Sequence, residues 1–445
     1  MPTRRNFFGL LAAANIRDFG AAGDGRRLDT AAIQKTIDAC AAKGGGTVLF
    51  PPGRYVSGTL FLKSRVTLLL ESGAVLEGSR NLADYPVTVQ KIRSFTDNYT
   101  NKSLIYAEDC EDIGIEGRGV IDGQGAAFTG PFLVRPFLIR MIACRNVSIQ
   151  DVSLKDSPMW TQHYLACDGV NIRGIKVRGS LPHQNNDGID IDSCTLVRIA
   201  DCDIETGDDC IVLKSTTMRP CRNVAVTNCV LSSVASAIKT GTESNGAFEN
   251  IVVSNCTIYD TKGAGIALIS VDGGTLDRVA VSGIVMDNVA APIFVRLGDR
   301  GRPVQEGGPR PPVGRLRNVS IRDVIAARGH PIGCSITGLP GHPVENLVLD
   351  NVRMEFPGGG TSQDAAREIP ENADKYPNFP MLGMLPSYGL YCRHVRGLSL
   401  RHVTARTTAP DARPALVCDD VEDLELQGWT GSEPGLKRVK GLRRS

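Results

Sequence analysis

The chain has 445 residues, 42% hydrophobic and 5% aromatic, and its 50 Lys and Arg stand against 48 Asp and Glu for a formal charge of +2. That composition supplies a large core and excludes a disordered chain, while the charge balance argues against a dedicated nucleic-acid or anionic-membrane binder. No apolar run approaches the ~20 residues that span a bilayer, so no membrane insertion is expected.

Residues 1–14, with Thr3-Arg4-Arg5-Asn6-Phe7-Phe8-Gly9-Leu10-Leu11 and then Ala12 to Ala14, resemble a twin-arginine export signal. Periplasmic or secreted localisation is the expectation; a cytoplasmic protein with an ordinary N-terminus is the alternative, because the apolar part is short. Residues 15–65 read as an N-terminal cap. Within them Asp29-Thr30, then Ile33, Ile37 and Cys40 at helical spacing, then Gly44-Gly45-Gly46, predict one short amphipathic helix with a start and a stop.

From Cys144 onward a single pattern recurs: apolar, any, apolar, any, any, apolar. Its first slot holds Val147, Val170, Val197, Val224, Ile251, Val279, Val319, Leu347, Leu398 and Leu424, and all thirty slots of the ten rows are hydrophobic. The rows are separated by 23, 27, 27, 27, 28, 40, 28, 51 and 26 residues. Val/Ile-rich alternation at this spacing, with no helical stretch between rows, predicts stacked coils of strand. Leucine-rich repeats share the spacing but need regularly placed leucines. The fold expected is therefore all-β: a single right-handed parallel β-helix over residues 66–445, one domain rather than the three that ~150 residues apiece would give. Asn146, Asn223, Asn250, Asn318 and Asn346 precede the first slot and predict a turn ladder. Cys202, Cys229 and Cys256 fill the third slot of successive rows and read as buried hydrophobes. The two long intervals mark excursions at about 292–317 and 357–391, where a rigid scaffold usually carries specificity.

Acidic residues cluster in two adjacent coils, Asn185-Asn186-Asp187-Gly188-Ile189-Asp190-Ile191-Asp192 and Gly207-Asp208-Asp209-Cys210-Ile211-Val212-Leu213-Lys214. Aligning their strands sets Asp187 beside Asp209 across a coil spacing of about 4.8 Å. Carboxyls this close raise at least one pKa, which can keep one acid protonated beside an ionised partner, the equipment of glycoside hydrolysis. A calcium site or a solvated acidic turn is the alternative on spacing alone.

These two motifs, with Asn15-Ile16-Arg17-Asp18-Phe19-Gly20-Ala21, Gly23-Asp24-Gly25, Phe50-Pro51-Pro52-Gly53 and Leu70-Glu71-Ser72-Gly73-Ala74, resemble the polygalacturonases, family 28 of the glycoside hydrolases. Asn185-Asn186-Asp187 matches the family's Asn-Thr-Asp, and Gly207-Asp208-Asp209-Cys210 its Gly-Asp-Asp-Cys. The resemblance implies Asp208 as general acid, Asp187 and Asp209 as activators of water, and inversion at the anomeric carbon. It implies no metal and no cofactor. The family's Gly-His-Gly and Arg-Ile-Lys are absent: the matching stretches read Ser233-Val234-Ala235-Ser236-Ala237-Ile238-Lys239 and Gly263-Ala264-Gly265-Ile266-Ala267.

Substitute cations are therefore sought. Lys239 falls in the outward column with Asp190 and Val212, and Lys214 stacks on Asp192; each is a candidate to hold a uronate carboxylate or a counter-ion to those aspartates. Arg296 is a weaker bidentate candidate. Asn185 and Glu243 are candidates for sugar hydroxyls, Trp160 for stacking on a sugar face, and His163 for a hydrogen bond to substrate. The reading is an inverting hydrolase of a uronic-acid-containing, pectic carbohydrate, exo-acting if the long loops block the groove. A β-helical lyase or epimerase and a non-catalytic glycan-binding β-helix are the alternatives. Oligomeric state is not legible.

Overall fold

A computed structural model describes residues 13–92, 99–179 and 184–444; the export-like segment lies outside them but for its last two residues. The strands form one continuous sheet wound as a right-handed parallel β-helix. Its register follows the repeat. Val147, Val170, Val197, Val224, Ile251, Val279, Val319, Leu347, Leu398 and Leu424 stand directly opposite one another from coil to coil. Because side chains alternate across a strand, each coil sends these residues into one core running the length of the molecule.

The third slot behaves likewise. Cys202, Cys229 and Cys256 are buried, and all thirteen cysteines are free thiols. The expected ladder forms where the backbone turns: Asn223, Asn250, Asn318 and Asn346 adopt the left-handed conformation, and the Asn250 amide donates to Asn223 Oδ1 at 2.9 Å. A second ladder, not foreseen, pairs Asn228 with Asp201 and Asn288 with Asp260.

Two boundaries differ from the sequence reading. Ala14–Asn15 pairs with Gly46–Phe50, which pairs with Val66–Leu70, so the coil stack already includes much of the segment 15–65 expected as a separate cap. Only the helix Thr30–Ala42 caps the end, burying Ile33, Thr36, Ile37 and Cys40. Gln34 fastens it by exchanging hydrogen bonds with the backbone of Phe61, at 2.8 and 3.0 Å. Asp29 does not cap this helix with its side chain; its carboxylate accepts from the amides of Ala22 and Gly23 instead. The first excursion starts later than expected, since Thr275–Leu297 is continuous strand. The second contains a short helical turn, Ser362–Ala365, with a capping box from Thr361 and Asp364, and a 3-10 turn, Phe379–Leu382. No described helix is long and apolar enough to cross a membrane.

Candidate active site

The site forms on one outward face, where Ile189–Asp192, Ile211–Ser215 and Ile238–Ser244 stack in register. Ile189, Ile191, Ile211, Leu213 and Ile238 point into the core, and the alternate residues build the outer wall. The preceding turns bring Asp187 and Asp209 together. This closeness depends on Gly188, where an added Cβ would lie 2.6 Å from the Cys210 carbonyl oxygen and 2.9 Å from Ile204 Cγ2. Gly188→Ala is expected to cost about 1–3 kcal/mol of stability through overpacking and to lower turnover with it, read by denaturant unfolding beside an activity assay.

One oxygen from each of Asp187, Asp208 and Asp209 lies within 4.8 Å of the others. Their surroundings differ. Asp208 is half-buried and accepts from the amides of Asn185 (3.0 Å) and Asp209 (2.9 Å). Burial, then the neighbouring Asp209, push its carboxyl up, against the opposing pull of Lys239 and the two amides. Asp209 accepts from Lys239 Nζ at 2.6 Å and from the Ser236 amide at 2.9 Å. Asp187 is 4% exposed, and its Oδ1 has no hydrogen-bond partner among the described residues. Burial raises its carboxyl well above the ordinary range, and Asp190 and Asp208 add to the rise. The cluster therefore retains protons that isolated carboxyls lose near pH 4.

A buried network of cations paired with carboxylates faces it. Lys214 Nζ lies 3.2 Å from Glu243 and 3.5 Å from Asp190. Arg302 reaches Glu243 at 3.0 Å and Tyr99 at 3.3 Å, while Arg300 pairs with Asp272 and donates to Thr242. Burial alone would push Glu243 up; the charges of Lys214, Arg300 and Arg302 outweigh it and hold the group well below the usual carboxylate range.

Asn185, Lys214, Lys239, Glu243 and Trp160 line a cavity of about 270 Å3 with the three aspartates. Three candidates have different surroundings from those expected. Lys239 is tied to Asp209 rather than to Asp190. Trp160 is 2% exposed, and the Lys214 ammonium sits 4.4 Å from its ring centroid, so that face is not offered to a sugar. His163 is fully buried behind it, stacked on Phe137 with Nε2 3.4 Å from Asp192.

Arg296 is displaced altogether. Its guanidinium is buried and donates to Thr337 Oγ1 and to the carbonyls of Gly338, Glu371 and Asn372, so it anchors the second excursion instead of facing the cavity. The sequence reading missed Arg302 and Tyr376, which the two excursions deliver to the cavity, and Tyr99 and Phe132, which close its other side. It also missed Arg135, which donates to Gln184 O and Asn185 Oδ1 beside the acidic turn. The excursions themselves were the signal; within them nothing in the pattern favoured Arg302 over Arg296.

Clustered carboxyls with interleaved cations on one face of a parallel β-helix supply the proton donors and acceptors that glycoside hydrolysis needs. The chain belongs to glycosyl hydrolases family 28, whose family model matches residues 60–374, and is a glycosidase. It is 27% identical over 375 residues to a probable polygalacturonase of Vitis vinifera, an alignment taking in 77% of this chain and 74% of that one. A match to the exo-poly-alpha-D-galacturonosidase of Dickeya chrysanthemi is 44% identical but spans 25% of this chain and 19% of that protein. Among solved structures, a family 28 exopolygalacturonase of Yersinia enterocolitica superposes with a TM-score of 0.70 at 20% identity, covering 97% of this chain and 78% of its own. The exopolygalacturonase of Thermotoga maritima gives 0.68 at 24%, covering 80% and 88%. These two likenesses speak to the fold. The family assignment favours hydrolysis over the lyase, epimerase and non-catalytic alternatives.

Proposed function

We propose that the protein hydrolyses a uronic-acid-containing pectic saccharide from a chain end, with Asp208 as general acid, Asp187 and Asp209 positioning the attacking water, and Asp209, which accepts from Lys239 and the Ser236 amide, taking its proton. The observation that carries this reading is the unequal setting of adjacent carboxyls. Asp208 is held toward its protonated form while a cation and an amide N–H address Asp209. A proton donor and an acceptor flanking one bond are what acid/base hydrolysis requires. Lys214 and Arg302 in the cavity supply positive charge for a sugar carboxylate. Chain-end attack is supported by the excursions, whose Arg302 and Tyr376 wall the cavity, and by the name of the Dickeya relative. Delivery outside the cytoplasm belongs to the same reading and is supported by Arg4-Arg5 and the residues after them.

The test is incubation with pectic oligosaccharides. New reducing ends released one or two units at a time, with no ultraviolet-absorbing unsaturated product, are expected. Unsaturated ends would instead identify a lyase. The resemblance implies inversion, so the first product should carry the opposite anomeric configuration to the bond cleaved, readable by proton NMR.

A pH dependence follows. A general acid works only while protonated, so activity falls as pH rises through its native pKa. Since burial and Asp209 raise that pKa, the alkaline limb of kcat/KM is expected above the ordinary carboxyl value of about 4. A limb at or below that value would remove Asp208 from the role.

A further inference from the structure

The aspartates stand between two unlike lobes. The 270 Å3 cavity holds Lys214, Glu243 and Arg302; a second, of about 360 Å3, opens on the other side of Asp208, Asp209, Lys239 and Tyr376, which line both. A scissile bond placed at the aspartates has one sugar in each.

The second lobe lies one coil and more beyond Lys239, where the register runs Lys239, Ala267, Phe294. Ala267, Ile269 and Phe294 line it and belong to a buried apolar cluster against which Phe379 of the second excursion packs. Val234 and Pro377 continue the apolar lining. Its two cations are poorly placed for a carboxylate. Lys239 is held at 2.6 Å by Asp209, closer than the contacts of Arg302 (3.0 Å) and Lys214 (3.2 Å) with Glu243 in the first lobe, and Lys262 is exposed at the rim. A free uronate here would lose water against apolar carbon and face the Asp208 and Asp209 carboxyls.

We propose that this lobe binds a sugar unit carrying an apolar group where a uronate carries its free carboxylate, a methyl in a 6-deoxyhexose or a methyl ester in an esterified uronate. The substrate is then a mixed saccharide, with an acidic unit in the cationic lobe and an apolar-faced unit across the bond. This rests on the uronate-glycosidase reading and narrows it.

The experiment compares kcat/KM on short oligosaccharides that keep one free galacturonate and vary its neighbour, in both orders, among a 6-deoxyhexose, methyl-esterified galacturonate and free galacturonate. An apolar-faced neighbour is expected to give at least about a tenfold advantage, the usual scale of small apolar discrimination, and the better of the two names the source. Equal or faster cleavage of the all-free substrate overturns this inference and leaves the uronate reading intact. Cleavage of none of them overturns both. Phe379→Ser, at the half-buried first position of the 3-10 turn Phe379–Leu382, should reduce the apolar-to-free ratio about fivefold or more. Because a ratio does not depend on the amount of folded enzyme, an unchanged ratio in this variant also overturns the inference.

Discussion

Asp208→Asn is expected to lower kcat about 10²–10⁴-fold, the range that general acid catalysis supplies, with KM changed little. The loss should be nearly erased for an aryl glycoside whose leaving group departs without a proton. That recovery separates lost acid chemistry from lost structure, and the separation is needed here. The Asn185 and Asp209 amides donate to the two different oxygens of Asp208. An amide side chain can accept only one of them and turns its own NH2 toward the other, so the variant should also lose about 1–3 kcal/mol of stability. Activity surviving within about tenfold on a natural substrate would exclude Asp208 as the acid.

The fold was legible because burial leaves a period in the sequence. Slots that face the core must be apolar in every coil, and the coil length repeats, so Val147 to Leu424 could be lined up without coordinates and remain lined up in the sheet. The acidic motifs were legible for a related reason. Asp187 and Asp209 sit at fixed offsets from Ile189 and Ile211, and register carried them together. Side-chain partners beyond the register were not legible. Lys239 shares a column with Asp190, yet its long flexible chain reaches Asp209 in the turn below. Arg296 stands at the end of the strand Thr275–Leu297, and Arg302 follows it in the first excursion. Only the path of the chain after Leu297 decides that one is sealed under the second excursion while the other reaches Glu243. The outer face obeys no period, because its residues answer to partners from distant loops rather than to one continuous core.

Lys239→Met and Arg302→Met together should distinguish a cation that sets up the acid/base pair from one that reads the substrate. Lys239 is buried, and although burial works against its charge, the Asp209 carboxylate at 2.6 Å holds its pKa above the ordinary lysine value. Removing one partner of a buried pair costs about 3–5 kcal/mol, because the other charge stays buried without compensation. In Lys239→Met that stranded group is Asp209, which would then tend to take up a proton and cease to accept one from water. The expected outcome is at least a hundredfold fall in turnover for acidic and neutral substrates alike. The alternative that the sequence offered, Lys239 holding the sugar carboxylate, predicts a loss confined to acidic substrates. Arg302 has a quarter of its side chain exposed and reaches Glu243 and Tyr99. Its replacement should raise KM for a uronate and leave a neutral analogue much less affected. If Lys239→Met proves selective for acidic substrates and Arg302→Met indiscriminate, the two roles are exchanged, and the ammonium now paired with Asp209 must swing to the substrate when it binds.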